Sequence, residues 1–168
     1  MSLLADGIEF QQRIRVPERK TAVGIGQGTS SFDHVWDFVA KYLNGTGSNK
    51  IDAVWSTQSS GGASVDLRGS LNSVLDGSTV NFPIVMGIFL KNLSTVSGEY
   101  ISLGGGSNPF ISWLLATGDG LKVGPSGFFQ LWSPIDGYAT SAGTADILTL
   151  AAGSGTPSYD MLIVGRSA

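Results

Sequence analysis

From Ile51 to its C-terminus the chain repeats one pattern, a short apolar run followed by a break of Gly, Ser, Asn, Pro or Asp. The runs are Ala53–Trp55, Val65–Leu67, Val80–Leu90, Tyr100–Leu103, Phe110–Leu115, Phe128–Trp132, Ile147–Ala151 and Met161–Val164. Their starts lie mostly about 10 to 20 residues apart, and most runs are shorter than the ~10–12 residues of an ordinary helix. Short strands divided by turn residues at near-regular spacing predict an all-β fold, a jelly-roll-like β-sandwich. The same segment holds no His, no Cys and no cluster of carboxylates. Its function is therefore expected to lie in surfaces.

The turns are placed by residue type at Ser59–Ala63, Asp76–Ser78, Ser97–Gly98, Gly104–Pro109, Gly118–Gly120, Gly124–Gly127, Asp136–Gly137, Ala142–Thr144 and Gly153–Pro157. Phe82–Leu90 and Phe110–Leu115 are continuously apolar and are expected to be strands buried on both faces. Phe110–Leu115 and Phe128–Trp132, with Phe128 among them, are expected in the core. Phe32–Leu43 has two readings. As a helix, Phe32, Val35, Trp36, Val39 and Tyr42 share a face. As a strand, Phe32, His34, Trp36, Phe38, Ala40 and Tyr42 alternate against Asp33, Asp37 and Lys41. Its β-branched and aromatic content favours the strand. Asn44-Gly45-Thr46-Gly47 then reads as a hairpin turn and Ile51–Thr57 as the returning strand.

Two domains are expected: residues 1–31, an extended N-terminal arm with a Gly-rich linker, and residues 32–168, the sandwich. Met1–Lys20 holds Asp6, Glu9, Arg13, Arg15, Glu18, Arg19 and Lys20, and its apolar residues are too sparse to close a core. Either it lies on a neighbour or it is a free tail. In Thr21–Ser31 the glycines Gly24, Gly26 and Gly28 lack the Lys of a phosphate-binding loop and the spacing of a dinucleotide fingerprint, so the segment reads as a linker.

Charged residues make up only 14% of the 168, against roughly 25% in an average domain. With Gly 24 and ample Phe and Trp, such a weakly charged β protein suits a larger assembly; an extracellular β module shares the composition. A net charge of −3 gives phosphate backbones no global attraction, so no nucleic-acid partner is expected. Cys 0 removes disulfides and thiol chemistry. No run approaches the ~18 apolar residues of a membrane span, and MSLLADG lacks the layout of a signal peptide. No membrane partner or standard secretion is expected.

Individual residues offer little chemistry, and no catalytic, cofactor or metal site is expected. His34, flanked by Asp33 and Asp37, has no nucleophile set beside it and reads as a packed or surface histidine. Asp119, Asp136, Asp146 and Asp160 sit near turns and could offer oxygen to calcium, but no D-x-D-x-D-G series is present; bonding to their own turns explains each. Trp113, Trp132, Trp36 and Trp55 could stack on sugars, though Trp113 and Trp132 lie in the most apolar runs. The sequons at Asn44 and Asn92 read as chance. Arg13, Arg15, Arg19 and Lys20 form the one basic cluster.

An ordered set of segments carries a resemblance: IDAVWSTQ; VDLRGSL with LDGSTVNFPIVMGIFLKN; YISLGGGSNPF; KVGPSGFFQLWSP; YATSAGTADILTLAAGSG; and SYDMLIVG. Together, over roughly residues 41 to 168, they resemble small structural proteins of tailed bacteriophages, some of them capsid decoration or cement proteins. The resemblance implies a non-enzymatic virion protein without cofactors, assembled in the host cytoplasm. It would decorate or cement the capsid by bridging shell subunits. Its expected partners are itself, as a trimer, and the major capsid protein. The alternatives are a tail or head–tail junction protein, or a receptor- or glycan-binding adsorption module. The arm is expected on a neighbouring subunit, with Leu3, Leu4, Ile8 and Phe10 in apolar pockets and Arg13, Arg15 and Arg19 paired with carboxylates.

Overall fold

A computed structural model describes residues 7–20, 30–44, 50–58, 62–73, 77–116 and 118–167; for 7–20, 30–44, 50–51, 55–58 and 62 it describes the backbone alone. The described residues are all β, without a helix. Thirteen strands are found among them: β1 (Gly7–Lys20), β2 (Ser30–Asn44), β3 (Lys50–Gln58), β4 (Gly62–Asp66), β5 (Leu71–Asn72), β6 (Thr79–Val80), β7 (Ile84–Asn92), β8 (Ile101–Gly104), β9 (Gly120–Val123), β10 (Phe128–Trp132), β11 (Tyr138–Ala139), β12 (Ile147–Ala152) and β13 (Tyr159–Arg166). The chain divides into two compact units, one of Gly7–Tyr42 and one containing Leu43–Ala168.

In the larger unit β3, β13, β7 and β10 lie side by side in one sheet, with β11 on the β7 edge, and β4, β12, β8 and β9 form a second. Number the eight long strands of this unit one to eight in chain order, leaving out β5, β6 and β11. The first sheet then reads one-eight-three-six and the second two-seven-four-five. Every nested pair is antiparallel: β3 with β13, β4 with β12, β7 with β10 and β8 with β9. Folding one long hairpin over on itself produces this order, with β13·β7 and β12·β8 closing the two sheets.

Alternation explains which residues lie between the sheets. Ile88 and Leu90 of β7, Met161 and Ile163 of β13, Leu148 and Leu150 of β12, Ile101 and Leu103 of β8, and Val123 of β9 form one buried cluster with Phe82, Phe110 and Tyr159. A β-bulge at Val164/Gly165 shifts the β13–β7 register past Met86, so Val85 returns to the inner face beside Ile88. The continuous apolar run of β7 is the trace of that bulge together with Met86 and Gly87, which are buried as well. Gly104 ends β8 at φ 107, and a Cβ there would stand 2.7 Å from the Asp119 carbonyl oxygen, so glycine fits where the others cannot.

Three expectations are corrected. β2 and β3 are strands, but they meet in parallel, through Leu43↔Lys50 and Asn44↔Ile51, so no hairpin joins them. Residues 45–49 separate the strands, longer than the two-residue loop that an Asn-Gly turn serves, and β3 takes β13 as its antiparallel partner. Phe110–Leu115 is no strand: after the turn at Gly104–Pro109 it curls through a Leu114 N–H to Ile111 carbonyl bond of 2.7 Å. Phe110 plugs the core while Leu115 is fully exposed. Phe128 is 61% exposed, because the β10 register points Phe129 and Leu131 inward with Leu90 and Ile88. An FFQLW run is apolar on both faces, and alternation cannot choose between them.

Candidate interaction surface

The connections β7–β8, β9–β10 and β12–β13 gather at one end of the sandwich. The Leu93 N–H donates to Ser158, the Asn92 N–H to Gly127, the Ser126 N–H to Ser94 and the Gly153 N–H to Tyr100, all backbone bonds of 2.8–3.0 Å. Asn92 is the hub. Its buried side-chain amide donates to the carbonyls of Glu99 and Val123, each at 3.1 Å, and its oxygen accepts from the Ser94 N–H at 3.0 Å. The Ser94 hydroxyl donates to the Glu99 carboxylate at 2.5 Å and accepts from the Val96 N–H at 3.0 Å. With its hydrogen-bonding capacity used this fully, the hub holds the loop in one conformation. Buried as it is, Asn92 is no glycosylation acceptor in the folded chain, and sequence patterns alone gave no hint of its role.

On this frame stand three large apolar side chains in water: Leu93, Val96 and Phe128. Beside them Lys122 places its ammonium 3.7 Å from the centre of the Tyr100 ring. Phe128 also begins a strip of mixed polarity and burial on the outer face of the large sheet. Register puts Phe128 beside Lys91, Gln130 beside Phe89 and Trp132 beside Gly87, with Asp160, Leu162 and Val164 of β13 across from them. Trp132 lies over Gly87, where a Cβ would come within 2.5 Å of the indole, and its ring sits 6.0 Å from Phe89. Leu115 and Ile135 are exposed on other connections, 105–119 and 133–137.

Of the turn carboxylates and tryptophans weighed against ligand binding, Asp119, Asp146 and Trp113 bond neighbouring backbone. Asp119 accepts from the Ala116 N–H at 2.9 Å and the buried Asp146 from the Gly143 N–H at 2.5 Å, each bonding its own turn. Among the described residues no three acidic or histidine side chains converge. The Trp113 N–H donates to the Phe110 carbonyl at 3.0 Å, and its ring meets Phe129 at 5.6 Å. Burial raises the Tyr159 hydroxyl above its ordinary value near 10, inside the core and away from any surface. Leu3 and Leu4 lie outside the described residues, as do Gly24, Gly26 and Gly28. Ile8, Phe10, Arg13, Arg15 and Arg19 lie on β1, and His34, Asp33, Asp37 and Trp36 on β2, of which the backbone alone is described; the same holds for Trp55 on β3. Comparison with family models, curated proteins and solved structures finds no match to this chain.

Proposed function

We propose that this chain is a non-enzymatic structural protein of a bacteriophage particle, a jelly roll that decorates or cements the capsid by bridging neighbouring shell subunits. The observation that carries the reading is the nested strand order, one-eight-three-six over two-seven-four-five, which is the order of a jelly roll and of the viral shell domains built on it. The rigid loop end supports it further. Leu93, Val96 and Phe128 offer apolar anchors on a frame already hydrogen-bonded within itself, so docking costs little ordering. A modest contact repeated over a closed lattice sums to a large resistance to expansion.

Co-sedimentation with shells of the phage that encodes the chain tests this reading. The native protein should pellet with mature shells, and Phe128→Asp should weaken attachment at least tenfold without altering the melting temperature. Absence of shell binding, or binding to tail structures or a glycan array in its place, overturns it.

A further inference from the structure

We infer that β1 and β2 form a self-association ribbon, in which the apolar side of β2 packs against the same side of a second copy of this chain. β1 and β2 are 14 and 15 residues long, neighbours in the hydrogen-bond order, while no strand of the larger unit exceeds nine. At about 3.3 Å per residue they run roughly 45–50 Å. They make up a unit of their own, Gly7–Tyr42, and are the strands described in it. Two strands alone are marginal in water.

The sequence says which side wants cover. Alternation places Phe32, His34, Trp36, Phe38, Ala40 and Tyr42 on one side of β2, and Asp33, Val35, Asp37, Val39 and Lys41 on the other. β1 divides less cleanly: Ile8, Phe10, Ile14 and Val16 share a side with Gln12, Glu18 and Lys20, opposite Glu9, Arg13, Arg15 and Arg19. The four aromatics of the β2 side bury about 150–250 Å² each when covered. They supply roughly the 800 Å² per partner of a stable interface. A second copy is the occupant the charges favour. A two-fold contact sets a surface against itself, and the even side of β2 carries no carboxylate or ammonium to oppose its own image. On the odd side, Asp33 and Asp37 would meet their like. This places the interface on β2 as much as on the arm.

The test uses the full chain and needs no phage particle, so its outcome is independent of the virion reading. Light scattering should give the native protein a mass that is a multiple of 17.5 kDa at tens of micromolar. Trp36→Lys with Phe38→Lys should return the mass to 17.5 kDa with the melting temperature of the sandwich unchanged. Val35→Lys with Val39→Lys, on the odd side, should leave the assembly whole. A monomeric native protein overturns the inference, as does an even-side variant that stays assembled or an odd-side variant that dissociates equally. If the even-side variant loses the melting transition of the sandwich, the strip covers its own body and the inference is equally overturned.

Discussion

Asn92 shows how much of this fold hangs on single polar groups at its loop end. It lies within β7, fully buried, and binds two carbonyls and one N–H. Replacing it with the similarly sized Leu removes a hydrogen bond from each of the Glu99 and Val123 carbonyls and from the Ser94 N–H. At about 1–3 kcal/mol for each group that water cannot reach, Asn92→Leu should cost roughly 2–5 kcal/mol. Urea unfolding measures it directly, and a cost under about 1 kcal/mol would mean that the loop relaxes to water freely. In sequence this residue is one more polar position after an apolar run. The Ser94 N–H bonded by its oxygen is local, but the two carbonyls that make it a hub lie 7 and 31 residues away in the chain. Asp119 and Asp146, by contrast, were legible: each bonds an N–H three residues back within its own turn, which turn chemistry anticipates.

Among elements, the turns and most body strands could be read from the chain because Gly, Asn and Pro act locally. The positive φ of Gly77, Gly98, Gly105, Gly106, Asn108, Gly137, Gly143 and Gly155 falls in the expected breaks. What could not be read was the side each strand turns to the core, or which strand it joins. β10 makes the point. Phe128 and Phe129 are adjacent and chemically identical, and the β7 register alone separates them. Phe128→Ala should therefore change stability by less than about 1 kcal/mol, while Phe82→Ala, wholly inside, should cost on the order of 3–5 kcal/mol. Thermal denaturation of the two variants checks the pair, and equal losses would contradict the register. Phe110–Leu115 failed for a related reason: a loop that plugs a core is as apolar as a strand within it.

The whole sandwich is organised by pairs that are remote in sequence. β8 and β9 are joined by the connection 105–119, whereas β3 and β13 bring residue 52 against residue 165. Such a topology should fold slowly, in the millisecond-to-second range of proteins dominated by distant pairings. It also sets the order of events at the ribosome. β13, the last in chain order of the described strands, belongs between β3 and β7, near the middle of the large sheet. Until it emerges, the facing edges of β3 and β7 stand open, and the inner cluster lacks Tyr159, Met161 and Ile163. A chain ending at Ser158 should thus be insoluble, which fractionation of expressing cells would show; a soluble, cooperatively melting fragment would contradict this. Emergence of β13 is then the event that closes the sheet, and every copy terminated before it carries two long unpaired strand edges, ready to pair with one another.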